Sequence, residues 1–597
     1  MKLSAKALPF LFPLLVCLTP ALVALFYIKA YGVNVPVVDD FIFVNGFNDW
    51  YSGKLTPEFF LGLHNGHCLF FGKIVMLVLG LITHFNIVAE MYLSWIFILL
   101  TLFLLIHIII KTFGTTFKSA ALCIPASLLI FGLRSWDVFI NGSVFLNSMT
   151  IFFVTASITA LFHTRREKTS PAFFIALLLG IIGSFSGSAS GLLVWFIGLV
   201  QLASFPLRRQ LEHATVRIWL ACCVFAFGGY AFLTWLSHKT LSPVLPHDPL
   251  GAAIIHKLVA IPPYLFTLFG FPFCTLPAST QICGAIVIAI YLCFAGFLLF
   301  KRPFGQHDHA LRAGIAVFLY GALAMGLVTV ARSERGYLEA MASRYAQFSN
   351  IMLLGAYLIL CFCDIKPAMV RRLIFVAVLL LVGTTSFAGY STALFNGTYW
   401  RNLQLKNAYL LRTNEIQNDE DLKALQSNPY FVRFQAEVLK RHELSVFSRA
   451  AWQDSLDNIP LTNQEPAYCF DLPTGSMPNG IPAKTPNEIS IQKNSPKSVS
   501  LSGWTFDANS GAPAKRVALL LDQKSQAPTI IPACYGLRYP GVAESFKNKR
   551  LADCGFYASF SPSILSPGEH TICLAVESTG GQQIAVSKEV LRIKILQ

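Results

Sequence analysis

Apolar residues run through the first two thirds of the chain in stretches approaching the ~20 residues needed to cross about 30 Å of hydrocarbon, and past about residue 391 such stretches stop. The pattern predicts about eleven membrane-spanning helices, near residues 8–28, 87–110, 119–133, 141–162, 171–184, 190–207, 214–236, 280–300, 309–331, 346–363 and 372–390. Two further apolar runs are set aside. Leu69 to Thr83 is short and contains Lys73, and is expected to lie in the membrane interface. His256 to Phe273 is interrupted by Pro262, Pro263 and Pro272.

The polar remainder divides in two. Glu415 to Leu425 and Tyr430 to Leu444 have helical apolar spacing and predict a helical connector over 391–485. Ser500 to Phe506, Val517 to Leu521, Thr529 to Cys534, Phe556 to Phe560, Thr571 to Val576 and Val590 to Ile595 are short segments between Gly, Pro, Asn and Asp turns. They predict an antiparallel β-sandwich over 486–597. The fold class expected is therefore an α-helical polytopic membrane domain, residues 1–390, followed by a connector and a β-sandwich.

Charge orients this arrangement. The formal net charge is +15, yet the cations of the membrane part come as short clusters between spans: Lys111 and Lys118, Arg165 and Arg166 with Lys168, Arg208 and Arg209, Lys301 and Arg302, Arg371 and Arg372. With Lys2 and Lys6 inside, and with eleven spans, every cluster falls on the cytoplasmic side, as the positive-inside rule requires. The first span is expected to be a retained anchor and the C-terminal domain to be extracytoplasmic. The soluble tail has no basic stripe interleaved with aromatics, which argues against nucleic acid.

Of 14 cysteines, ten lie in the membrane part as small apolar residues. Cys469, Cys534, Cys554 and Cys573 lie in the tail, where an oxidising compartment would favour disulfides. Four cysteines allow three connectivities, and Cys534 with Cys554 is the expected pair.

On this topology the polar groups with chemical potential share the outer side. The first outer loop carries Asp39, Asp40, His64, Asn65, His67 and Lys73. Later corners carry Arg134 to Asn141 with Trp136 and Asp137, Ser184 to Ser190 leading to Trp195, and Arg332 to Tyr345 with Arg335, Arg344 and Tyr345. His247 and Asp248 read as an ordinary polar loop.

An acidic pair after the first span, a His/Asn/His/Lys stretch on a juxtamembrane helix, a Trp-Asp corner, a Gly191 to Trp195 span entry and a Ser343-Arg344-Tyr345 turn, in that order, resemble the GT-C membrane glycosyltransferases over residues 1–390. The nearest likeness is to bacterial enzymes that decorate cell-surface polysaccharide such as O-antigen. Where that family often has an arginine after the outer-loop histidine, this chain has Cys68. The resemblance implies a polyprenyl-phosphate-linked sugar as donor, such as undecaprenyl-phosphate hexose with glucose the expected sugar. It implies a surface polysaccharide or lipid-linked glycan as acceptor, inversion at the anomeric carbon, and a bacterial inner-membrane location with a periplasmic C-terminal domain.

The residue types suit that chemistry. A carboxylate, Asp39 or Asp40, can take the acceptor hydroxyl's proton. His64, His67, Lys73, Arg335 and Arg344, with Tyr345, can hold the carrier phosphate. Trp136, Asp137 and Trp195 are candidates for the sugar or acceptor, the tryptophans having interfacial anchoring as their plain alternative. No cofactor is assigned, and a divalent cation between Asp39 and Asp40 is left open. Two other functions share these substrates: a lipid-linked glycan transporter or flippase, and a surface-glycan polymerase or ligase. The first would carry its charges at mid-membrane, and the second a large arginine-rich late outer loop.

Overall fold

The computed structural model describes residues 8–164, 170–202, 213–241, 250–301, 308–363, 368–448, 461–462, 465–471, 487–523, 528–580, 583–588 and 591–597. The basic clusters at 165–168 and 208–209, together with Arg302, His247 and Asp248, lie outside them. The chain separates into two compact units: residues 1–32, 49–82 and 88–397 in one, and 33–48, 83–87 and 398–597 in the other.

The first unit is helical. Its long elements are α1 (Leu8–Tyr31), α4 (Phe70–Thr83), α5 (Ile87–Phe113), α6 (Phe117–Ile130), α8 (Phe145–Phe162), α9 (Pro171–Ser184), α10 (Leu193–Leu202), α11 (Ala214–Leu241), α12 (Leu250–Gly270), α13 (Pro277–Lys301), α14 (Asp308–Arg332), α15 (Ala346–Phe362) and α16 (Ala368–Arg412). The short α3 (Pro57–Leu61) and α7 (Asp137–Ile140) lie between them, while most of α2 (Phe41–Tyr51) belongs to the second unit. Among the described residues eight helices are long and apolar enough to cross a membrane, and the apolar stretches of α4, α9, α10, α12 and α13 are shorter. Three of the eleven expected spans, 171–184, 190–207 and 280–300, fall in that shorter group.

Two expectations about helix limits are corrected. Pro262 and Pro263 lie inside one continuous helix, α12, and do not break it. The last helix does not end at residue 390 but runs 45 residues to Arg412, roughly 68 Å at 1.5 Å per residue. Its apolar half sits in the first unit and its polar half in the second, so hydropathy marks where the environment changes while the helix continues.

Small residues set the close packing of the helices, as expected where lipid offers no hydrophobic drive for association. A Cβ on Gly321 of α14 would lie 2.5 Å from the Met352 nitrogen, and one on Gly355 of α15 would lie 2.2 Å from that of Phe318. These two helices therefore meet backbone to backbone. α1 is held to α16 by the Tyr27 hydroxyl, which donates to the Ala393 carbonyl at 2.9 Å.

In the second unit the connector and the β-structure are one body. It contains α17 (Asp419–Leu422), α18 (Pro429–Arg441) and α19 (Pro540–Ser545). The first sheet has β10 (Cys534–Leu537), β11 (Gly555–Phe560), β6 (Val499–Asp507) and β4 (Ala467–Asp471) in that order, with β7 (Ala512–Pro513) beside β6. The second has β3 (Leu461–Thr462), β13 (Ile584–Val586), β12 (Gly568–Glu577), β14 (Leu591–Leu596) and β5 (Asn487–Gln492), with β8 (Arg516–Leu521) pairing both β12 and β9 (Thr529–Pro532). Alternate residues of both sheets, including Val499, Leu501, Phe556, Leu519, Leu574 and Ile593, form a shared core. Two departures from expectation follow. The β-region starts at residue 461 and not 486, and it is mixed, because β3 and β5 pair in parallel with β13 and β14.

The expected Cys534–Cys554 bridge is not formed. Both are buried free thiols. Cys534 faces Tyr557 across the ladder, whereas Gly555, beside Cys554, pairs with Leu537, so the two cysteines lie at opposite ends of the pairing. Cys469 and Cys573 belong to different sheets, and no disulfide joins any of the four.

Candidate functional site

Two corners of the first unit bring one set of predicted residues together. α14 ends at Arg332, and three single-turn 3-10 segments, Ser333–Arg335, Tyr337–Met341 and Ser343–Tyr345, carry the chain to α15. Gly336 between the first two has φ +89°, a left-handed conformation that glycine adopts without steric cost. Opposite them is the corner made by the turn Leu133–Ser135 and α7. The Asp137 N–H donates to the Ser343 hydroxyl at 2.9 Å, and the Asp137 carboxylate accepts from the Asn141 amide at 3.2 Å. Arg344 lies 3.8 Å from that carboxylate and 4.0 Å from Glu339, with Arg335 3.5 Å from Glu339. The Arg344 guanidinium is 5.1 Å from the centre of the buried Tyr345 ring. Burial holds the Asp137 carboxyl above its usual range against the opposing pull of Arg344 and Asn141.

Arg344 keeps about two fifths of its side chain exposed, whereas Asp137 is almost fully covered. The pair thus presents a guanidinium face outward on a buried counter-charge, a form suited to a phosphate or carboxylate.

Arg134, at the same corner, is buried. Its Nε and Nη2 donate to the Phe271 carbonyl at 3.0 and 2.9 Å, Nη2 donates to Cys274 at 2.7 Å, and the guanidinium stands 4.0 Å from the Phe271 ring. It satisfies carbonyls just beyond the end of α12, which that helix cannot satisfy itself. A Cβ on Gly389 would lie 2.8 Å from the Arg134 nitrogen, so glycine lets α16 approach here. The corner opens on a cavity of ≈ 620 Å³ lined by Arg134, Trp136, Phe271, Met341, Ser343 and Thr392 among others. Trp136 lines this cavity. Trp195 does not bear out its assignment as a sugar platform: it is fully buried, donates to the Ser184 hydroxyl at 2.9 Å and packs 4.9 Å from Trp219.

His64 and His67 form a second cluster, and the expectation that they sit on a helix is corrected. They are cross-strand partners in a two-residue hairpin, β1 (Leu63–His64) and β2 (His67–Cys68). Asn65 at φ +49° and Gly66 at φ +76° make the turn, as Asn-Gly does where both central residues need positive φ. His67 Nδ1 accepts from the Ala189 N–H at 3.4 Å, and Tyr230 donates to the Gly66 carbonyl at 2.7 Å. The corner from Ser184 to Ser190 is therefore brought to the hairpin, and the Phe71 N–H, donating to Phe185 at 3.0 Å, ties α4 to it. Lys73 belongs to α4 but spends its ammonium on the carbonyls of Phe59 and Gly62, at 2.5 and 2.8 Å, closing the end of α3. Burial brings its pKa down to about 8, with Cys68 opposing.

Asp39 and Asp40 belong to the second unit, and their environments differ. Asp40 is fully buried and its carboxylate accepts from the Val37 N–H at 3.0 Å, capping the turn Val38–Asp40. Asp39 is exposed. Between them and the cap, Val38 has φ +46°, a strained conformation for a β-branched residue. Its N–H donates to Leu425 at 3.0 Å, and α18 supports the segment through Phe431 against Phe41 and Gln435 to Asn45. With Asp40 committed to the backbone, only Asp39 offers an exposed carboxylate. Among the described residues no group of three or more His, Cys, Asp or Glu side chains could hold a metal ion.

No protein-family model matches the chain, and no curated protein matches it.

Proposed function

We propose that this chain is an integral-membrane glycosyltransferase that moves a hexose from a polyprenyl-phosphate carrier to a surface polysaccharide or related glycan on the extracytoplasmic face of a bacterial inner membrane. The observation that carries the reading is the Arg344–Asp137 pair beside the cavity at Arg134 and Trp136, between the ends of apolar helices. A guanidinium there suits a phosphate at headgroup level while the lipid tail remains in hydrocarbon. The GT-C-like fold, eleven crossings and the cytoplasmic N-terminus belong to the same proposal.

In the reaction the acceptor hydroxyl oxygen attacks the anomeric carbon, the bond from that carbon to the phosphate oxygen breaks, and the carrier phosphate leaves with the electron pair. The hydroxyl proton passes to a carboxylate, which we assign to Asp39 because Asp40 is occupied by its cap. Arg344 stabilises the charge that gathers on the departing oxygen. Lys73, whose ammonium donates to the carbonyls of Phe59 and Gly62, holds the first outer loop in shape without contacting phosphate.

Purified protein given a synthetic polyprenyl-phosphate hexose and an acceptor glycan tests the proposal. Transfer of the hexose is expected. Carrier movement across vesicles without transfer would instead support a flippase.

A further inference from the structure

The second unit holds a cleft that the transferase reading does not use. It is a cavity of ≈ 490 Å³ lined by Glu420, Asp421, Lys497, Ser498, Ser500 and Tyr557, within the size range of small-ligand sites. α17 supplies the two carboxylates, the turn before β6 supplies Lys497 and Ser498, β6 supplies Ser500, and β11 supplies the aromatic ring. The walls are fixed by contacts within this unit. The Ser498 hydroxyl donates to the Asp421 carboxylate, and the Asn418 amide reaches the Ser495 carbonyl at 3.4 Å. Tyr557 is half-buried and locked edge-on against Tyr409 at 5.9 Å, with the Lys406 ammonium 4.8 Å from its ring centre. Tyr409 is itself anchored, donating to the Ser559 carbonyl at 2.8 Å.

Two carboxylates accept strongly from hydroxyl donors, the serines can donate or accept, and a held aromatic ring offers a flat apolar surface with a polar end. Glu420 and Asp421 outweigh the single ammonium of Lys497 and so disfavour an anionic ligand, and polar walls disfavour a lipid chain. A neutral polyol with one apolar face can donate to the remaining lone pairs of the carboxylates, accept from Lys497 and lie against the ring. We propose that this cleft binds a neutral glycan, its hydroxyls on Glu420, Asp421 and the serines and one sugar face on Tyr557. The proposal does not rest on the transfer chemistry, and its test does not depend on it.

The full-length protein in detergent is applied to an array of neutral hexose and deoxyhexose oligosaccharides, with sialylated oligosaccharides as the anionic control. Binding to neutral glycans is expected, weakened at least tenfold by Tyr557→Ala and by Glu420→Gln. Glu420 is exposed and bonded to Lys423 on the surface, so its substitution leaves the fold intact, and Tyr557→Phe, which keeps the ring, should bind nearly as well as wild type. Absence of neutral-glycan binding, preference for the sialylated control, or binding as tight as wild type by Glu420→Gln or by Tyr557→Ala would each overturn the proposal.

Discussion

Arg344 stands 3.8 Å from a buried Asp137 whose own backbone N–H is held by Ser343, the residue before the arginine. One turn therefore supplies both the cation and the brace for its counter-ion, fixing the guanidinium before any ligand arrives. If it meets the carrier phosphate, its effect grows as charge builds on the leaving oxygen, so Arg344→Ala should lower turnover and not affinity alone. The expected loss is about a hundredfold, or ~3 kcal/mol. Arg344→Lys should also be impaired, because an ammonium lacks the planar two-point geometry. Steady-state kinetics with the purified variants checks this, and normal turnover in Arg344→Ala would make the residue an interfacial anchor.

Arg134 is predicted to act on stability first. Arg134→Met leaves the carbonyls of Phe271 and Cys274 without their donor in a buried place, a cost of about 1–3 kcal/mol for an unsatisfied group. A lowered thermal midpoint of the detergent-purified protein is the expected result.

What the sequence revealed of this cluster was its parts. Arg344, Asp137 and Trp136 stand out as polar or aromatic residues at span ends, whereas Arg134, named only as the first residue of its corner, has no role legible in the sequence because its partners are backbone carbonyls, which leave no pattern in residue types. The histidine hairpin was legible in the Asn65-Gly66 dipeptide, yet the apolar run that follows suggested a helix instead. Hydropathy placed the helices well and their ends poorly, since the polar end of α16 stays helical with Gln404, Asn407, Tyr409 and Leu411 buried in the second unit. β3, β4, β5, β7 and β13, and all of β10 past Cys534, lie outside the expected strands: β3 and β7 are two-residue strands, β13 has three residues, β10 follows β9 after a single residue, and β4 and β5 depend on partners distant in sequence.

His570 gives a pH dependence. Burial lowers its pKa, but Asp522 at 2.7 Å and the Ser566 carbonyl at 2.8 Å outweigh that and leave it raised. The interaction is fully present below the ordinary imidazole value of about 6.5 and is lost as pH rises through the higher folded-state value. Hydrogen exchange at Thr571, whose N–H donates to the same Asp522 carboxylate at 2.9 Å, should become less protected above pH ~6.5, relative to a His570→Asn control. Protection that stays parallel to the control would contradict it.

Topology is checked by fusions. A reporter active only outside the cytoplasm should work after Trp50, Ser188, Arg335 and Gln597 and fail after Lys111, Arg166, Arg209 and Arg372. Activity after Lys111 would make α4 a crossing helix and displace the first outer loop from the proposed site.

The most direct test is hexose transfer from a synthetic polyprenyl-phosphate donor by the purified full-length protein and by Asp39→Asn and Asp40→Asn. The account predicts transfer by wild type, a loss of about 10²–10⁴-fold in Asp39→Asn, as removal of a general base entails, and substantial activity in Asp40→Asn, whose amide oxygen can still cap Val37. No transfer by wild type, or near-normal transfer by Asp39→Asn, would contradict it.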